Sequence, residues 1–334
     1  MATGALSIGT FLLGMTFISN VLLYINMIAY LILWLLTLIR LIGYFPRVLA
    51  DLTSHSQGPG FFTLVASTCV FGSQLIVVAN NHLLSIYLWG FAIFLWVIIM
   101  YTFFTAVTVR KNKPSMAEGI NGAWLIAAVA TQSISILGTL LSPYLKNGQE
   151  IVLFFTFCMY LLGCMLYLNI ITLIFYRFTF IELEFAALTP PYWINMGAVA
   201  ITTLAGSTLL LHAHSLPLLV EITPFIKGFT LFFWITGTWW FPLIFILMIW
   251  RHFYHRYPLS YDPQFWGMAF PLAMYTTSTF QLSKALNLSF LNVIPQFMVY
   301  IAIIVWILVF LGLIHRIYLT YKIYLKIPCK GDSL

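Results

Sequence analysis

Long apolar stretches, separated by short polar or turn-forming clusters, run the length of the chain. Reading between charges and turn signals gives ten spans, at approximately 2–19, 21–41, 61–79, 83–109, 120–141, 151–176, 191–211, 223–250, 264–285 and 292–314. A helix needs about 20 apolar residues to cross the hydrocarbon core, so the pattern predicts a bundle of membrane-spanning helices. Asn80-Asn81, Ser142-Pro143, Asn287 and the basic stretches mark connections. Residues 1–39 carry no charge, and Ser19-Asn20 is the turn signal read between the first two spans. One unbroken helix there would overrun a bilayer, so a break is expected at that dipeptide.

The spans alternate in texture. Odd-numbered ones carry small and hydroxyl-bearing runs: Ala2-Thr3-Gly4-Ala5, Val65-Ala66-Ser67-Thr68, Ala128 to Ser133, Ala198 to Thr203, and Ala273 to Thr279. Even-numbered spans are greasier. The repeat is one helical hairpin, about 60–75 residues long, and parallel repeats about an axis normal to the membrane are a known transporter plan. The expected fold is therefore all-α and integral to the membrane. It has ten transmembrane helices as five hairpins around a central pore, odd helices inside and even helices outside. The 334 residues are read as a single transmembrane domain. The competing reading of the small-residue faces is that they are seams for helix packing.

Composition agrees with lipid as the solvent. Hydrophobic residues make up 62% of the chain and charged ones 7%, against about 25% charged in soluble domains. Mean hydropathy is +1.00 and the isoelectric point about 9.2. The net charge of +7 sits between spans, not in a nucleic-acid-binding patch, so no nucleic acid is expected as a partner. Arg40, Arg47, Arg110, Lys111, Lys113, Arg177, Arg251, Arg256, Arg316, Lys322, Lys326 and Lys330 follow even spans; Lys146, Lys227 and Lys284 follow odd ones. This bias puts both termini and the longer loops in the cytoplasm, as expected of a multi-pass protein of the cell membrane. Met1 stands at the start of an apolar span with no basic region before it, so no cleavable signal is read and a natural N-terminus upstream is left open.

Other chemistry is sparse. Cys69, Cys158, Cys164 and Cys329 form no C-x-x-C pair, and the first three read as small buried hydrophobes. The histidines lie at span ends or in loops: His55, His82, His212, His214, His252, His255 and His315. That is not the facing arrangement a membrane haem or metal enzyme requires. His212-x-His214 and His252-x-x-His255 are surface pairs with interfacial placement as their plain reading. No Walker loop or H-E-x-x-H occurs. No cofactor, metal or catalytic residue is expected, and a membrane redox enzyme is the distant alternative. All eight carboxylates (Asp51, Glu118, Glu150, Glu182, Glu184, Glu221, Asp262, Asp332) lie at loops or span ends. Proton-coupled carriers commonly hold one inside the membrane.

Three strings then resemble a known family. Thr189-Pro190-Pro191-Tyr192-Trp193-Ile194-Asn195-Met196-Gly197-Ala198, with Leu204-Ala205-Gly206, resembles the seventh helix of bacterial members of the tellurite-resistance/dicarboxylate transporter family. Met1-Ala2-Thr3-Gly4 resembles its first-helix signature, and Trp266 to Leu272 its ninth-helix W-x-x-x-F-P pattern. The family includes fungal malate permeases and sulfite exporters, bacterial tellurite-resistance proteins and plant slow anion channels. The resemblance implies ten helices in five hairpins and a homotrimer with one pore per subunit. It also implies a ninth-helix phenylalanine as plug, which matches Phe270 here, beside Pro271. Where some members kink other pore helices with proline, this chain has Gly72, Gly138 and Gly206.

On that resemblance the expected function is movement of small inorganic or organic anions through a charge-poor, hydroxyl-lined pore. The alternative is a coupled C4-dicarboxylate carrier or a tellurite or sulfite exporter. Candidate pore-lining groups are Thr3, Ser67, Thr68, Ser73, Gln74, Thr131, Gln132, Ser133, Ser135, Thr202, Thr203, Ser207, Thr276, Thr277 and Thr279. They replace hydration without a deep cationic trap, which suits conduction. Arg110, Lys111, Lys113, Arg177, Arg251 and Arg256 form the expected cytoplasmic rim.

Overall fold

A computed structural model of the chain describes residues 1–145 and 147–326, with side chains to residue 322. Lys146, Cys329, Lys330, Asp332 and the Lys326 side chain lie outside the described residues. The long helices are α1 (Ala2–Leu12), α2 (Thr16–Gly43), α3 (Phe62–Ala79), α4 (His82–Val109), α5 (Ile126–Leu141), α6 (Gln149–Phe180), α7 (Ile194–Leu211), α8 (Thr223–Ile249), α9 (Trp266–Ala285) and α10 (Val293–Lys326). No strand occurs among the described residues.

Two turn signals act as expected. Asn80 and Asn287 adopt left-handed backbone at φ 51° and 55°, ending α3 and following α9. The first break does not fall where the polar dipeptide suggested. α1 ends at Leu12, and Gly14 takes φ +82° before α2 begins at Thr16. A residue without Cβ makes that turn at no steric cost. Ser19 and Asn20 lie inside α2, where the Ser19 hydroxyl donates to Ser7 O at 2.8 Å.

Eight helical stretches are long and apolar enough to cross a membrane, built on α2 to α8 and α10. The other two helices fail on different grounds. α1 has 11 residues, a rise of about 16 Å. α9 has 20, but Thr276, Thr277, Ser278, Thr279, Gln281 and Ser283 dilute its apolar character. Both are surrounded by other helices: residues 2–10 and 269–279 are all buried. A helix shielded from lipid need not be apolar all round.

Burial follows parity. In the most apolar window, 61%, 94% and 89% of α3, α5 and α7 is buried, against 17–44% in the even helices. The odd helices pack in a closed ring: α1 on α3, α3 on α5, α5 on α7, α7 on α9, and α9 back on α1. Each even helix packs on the odd helix before it and presents Leu, Ile and Phe outward.

Polar side chains then join each even helix to the odd helix that follows. The Tyr30 and Thr68 hydroxyls meet at 3.0 Å between α2 and α3. Trp96 Nε1 donates to Thr131 Oγ1 at 2.9 Å between α4 and α5. Tyr167 reaches Asn195 O at 3.5 Å between α6 and α7. Trp234 Nε1 donates to Thr279 Oγ1 at 3.0 Å between α8 and α9, and Trp306 Nε1 to Thr3 Oγ1 at 3.0 Å between α10 and α1. Each bond is worth only about 0.6 kcal/mol in a membrane; what matters is that one stands at every junction.

The glycines offered as kink sites serve close approach instead. A Cβ on Gly72 would meet Leu137 at 2.7 Å, and one on Gly138 would meet Thr156 at 2.5 Å. One on Gly206 would lie 2.1 Å from Thr230 Oγ1 of α8. Gly206→Ala is therefore expected to destabilise the protein by about 1–3 kcal/mol through overpacking. Thermal unfolding in detergent measures this. Adding Thr230→Ala, which removes the clashing atom, should restore most of the loss; no recovery would contradict this account of the contact.

Candidate functional site

A cavity of about 40 Å³ lies inside the ring of odd helices. By this measure a water needs about 10–15 Å³, so the space holds roughly three waters or one small ion. Every odd helix contributes to its wall, at helical spacing: Ala5 and Ile8; Val70, Ser73 and Val77; Ser133, Ile136 and Leu140; Ile201, Leu204 and Thr208; Met274, Thr277 and Gln281. Steps of three and four residues keep one face of each helix turned inward. No Lys or Arg lines it.

Of the residues expected to line a path, Ser73, Ser133 and Thr277 do face this cavity. The others stand away from it, and most hold helices together. Thr3, Thr68, Thr131 and Thr279 belong to the junctions described above. Gln74 accepts from Asn26 Nδ2 at 2.6 Å, Gln132 Nε2 donates to Tyr160 O at 3.0 Å, and Ser135 donates to Thr156 O at 2.7 Å. Ser67, Thr202, Thr203 and Thr276 donate to carbonyls within their own helices. Ser207 is buried, and its hydroxyl has no partner among the described residues.

Thr208 and Gln281 line the cavity but were not singled out from the sequence. The available signal was their place in the stripe, seven residues beyond Ile201 and Met274. Gln281 supplies the one amide there.

The polar groups of the cavity differ in what they can offer. Ser133, Thr208 and Thr277 give their hydroxyl hydrogens to the carbonyls of Ala130, Leu204 and Ala273 at 2.7–3.0 Å. They present lone pairs inward. Ser73 and Gln281 have no such bond among the described residues, so their O–H and N–H groups are the donors open to an occupant.

Phe270 is buried at 3% exposure and lies one turn before Met274 on the inward stripe. It does not line the cavity itself but follows its wall toward the N-terminal end of α9. Pro271 lies inside α9, and its ring fills the notch that Gly197 leaves on α7, where a Cβ would come within 2.7 Å. The seventh- and ninth-helix strings thus meet in space.

The expected rim divides in two. Arg110, Lys111, Lys113 and Arg256 are exposed, whereas Arg177 and Arg251 are buried. Arg40 pairs with Asp51, the one ion pair among the described residues. At the opposite end His212 follows Thr208 by one turn, and its Nδ1 lies 2.8 Å from Thr208 O. Burial holds this imidazole below its ordinary pKa, so it adds no charge there at neutral pH. The ring of His252 bonds Tyr257 O at 2.9 Å, and His255 stacks on Phe185.

Several known proteins are similar to this chain. An uncharacterized membrane protein of Mycobacterium tuberculosis is 35% identical over 155 residues, 46% of this chain and 78% of that protein. An uncharacterized transporter of Methanocaldococcus jannaschii is 24% identical over 308 residues, 90% of this chain and 86% of that one. A sulfite efflux pump of Trichophyton rubrum is 23% identical over 323 residues, 91% and 83% of the two chains. The profile of the voltage-dependent anion channel family matches residues 1–314. With its apolar helices and that match over nearly its whole length, the chain is a multi-pass membrane protein belonging to the voltage-dependent anion channel family.

Proposed function

We propose that this protein conducts small anions across the membrane through the space enclosed by α1, α3, α5, α7 and α9. In this reading all ten long helices span, as five hairpins, each subunit has its own path, and Phe270 plugs it. The observation that carries the reading is the cavity to which every odd helix contributes one face. Family membership supports anions as the cargo.

The chemistry follows from the wall. An anion entering a mostly apolar space loses hydration, and the donors there must replace it. Ser73 and Gln281 do so directly. Ser133, Thr208 and Thr277 assist only by rotating their hydroxyls away from backbone carbonyls, which costs the bond they hold. Such a site binds weakly, and weak binding lets an ion leave as readily as it enters. A fixed cation in the same place would hold it. The phenyl ring of Phe270 narrows and dewets the end of the stripe nearest the basic loops, and Pro271 against Gly197 fixes where it stands.

Phe270→Ala is expected to raise anion conductance several-fold in planar bilayers. Unchanged current from a well-folded variant would remove the plug assignment. Gln281→Leu deletes the one amide of the wall, and losing a bond to a charged group should slow anion flux about tenfold. Liposome flux assays read this, and equal flux would show that the ion passes elsewhere. The similarity to a sulfite efflux pump favours sulfite as one cargo; ion-replacement currents comparing chloride, nitrate, malate and sulfite rank it against the others.

A further inference from the structure

Four of the even helices carry an arginine at or near the C-terminal end, Arg40, Arg110, Arg177 and Arg251, and on α10 Arg316 lies ten residues before the end at Lys326. Arg40 has Asp51, and Arg110 and Arg316 are exposed to solvent. Arg177 and Arg251 differ from all three. They are 8% and 6% exposed, and among the described residues no carboxylate lies within ion-pair distance of either. A buried cation without a counter-charge is costly, so something should balance it.

The way each guanidinium is held points to what that is. Arg177 Nη1 donates to Ile120 O and to the Tyr192 hydroxyl, joining the end of α6 to the chain entering α5 and α7. Arg251 Nη1 donates to Leu188 O, and its Cζ sits 4.2 Å from the centre of the Tyr257 ring. In both residues Nε is buried and has no partner, and Nη2 hydrogen-bonds to nothing among the described residues. Nε and Nη2 share one edge of a guanidinium, and their N–H groups point the same way. That edge is the fork that takes two oxygens of one anion. Each arginine is therefore fixed by one nitrogen, while its two-pronged edge has no hydrogen-bond partner among the described residues.

We propose that the Nε–Nη2 edges of Arg177 and Arg251 are binding sites for small oxyanions, outside the central cavity and at the basic end of the bundle. Nitrate, bicarbonate, sulfite and phosphate present the paired oxygens the fork requires; chloride, with one centre, does not. The sites offer a place where oxyanions gather before any transfer, and they stand whether or not the ring of odd helices conducts. Because Nη1 also latches residues 188–192 to the outer helices, loss of either side chain should lower stability for a structural reason alone. The test therefore reads anion dependence, not stability itself.

The purified full-length protein in detergent is melted against increasing sodium nitrate, with equal sodium chloride as reference. The expected result is a saturable nitrate-specific rise in Tm. Arg177→Lys and Arg251→Lys keep the charge but lose the fork, and each should weaken its site's half-saturation about tenfold, as the loss of a hydrogen bond to a charged group implies. The double variant should lose the saturable response. A saturable response with unchanged half-saturation in the double variant would place nitrate elsewhere and overturn the proposal, as would no nitrate-specific response in the unsubstituted protein. Should the lysine variants not fold, anion identity decides on the unsubstituted protein at equal ionic strength: bicarbonate, which presents paired oxygens, must raise Tm saturably as nitrate does, and bromide, with one centre, must not; an equal saturable rise with bromide would overturn the assignment.

Discussion

Hydrocarbon offers no hydrogen bonds, so a polar group that this bundle takes into the membrane is costly unless it finds a partner inside the protein or lines a wet space. The structure answers that constraint by separating two kinds of helix. Outer helices are apolar enough to meet lipid. Inner helices carry hydroxyls and amides, and each outer helix sets a Tyr or Trp against a polar group of the inner helix that follows, closing with Trp306 on Thr3. α9 is the extreme case, since its hydroxyl run is tolerable only because its neighbours keep it from lipid.

Once most hydroxyls are committed to that glue, few remain for a path. The cavity keeps three hydroxyls whose hydrogens go to backbone carbonyls and two donors, on Ser73 and Gln281, that are free. In the proposed path, selectivity for negative charge then rests on a small number of neutral dipoles. The charges lie at the basic end instead, where Arg177 and Arg251 are buried against loop carbonyls. The same separation explains why the wall can be weakly binding while the chain as a whole is basic.

Much of the architecture was legible in the sequence, because parity of texture is a direct imprint of the solvent each helix meets. Asn80 and Asn287 were readable as turns for a local reason, their tolerance of left-handed backbone. Gly14 was passed over because the more polar Ser19-Asn20 drew the break, although Ser19 stays within α2 by donating across to Ser7 O of α1. The facing of hydroxyls was not legible. Thr131 and Ser133 are two residues apart and turn to a tryptophan 35 residues away and to the cavity respectively. Nothing local distinguishes them. Thr208 and Gln281 were missed because each stands just past the hydroxyl run singled out on its helix, and the spacing from Ile201 and Met274 reveals them.

The central claim is that one inward stripe per odd helix forms a wet path while neighbouring hydroxyls are dry glue. Silver ion is small enough for a narrow cavity and reacts with thiols only where water reaches them, so its block of nitrate flux into proteoliposomes tests the claim directly. Ser133→Cys and Thr277→Cys should be blocked rapidly; Thr131→Cys and Thr203→Cys should respond no faster than the unsubstituted protein. Equal block at all four positions, or block at the last two alone, would contradict the account.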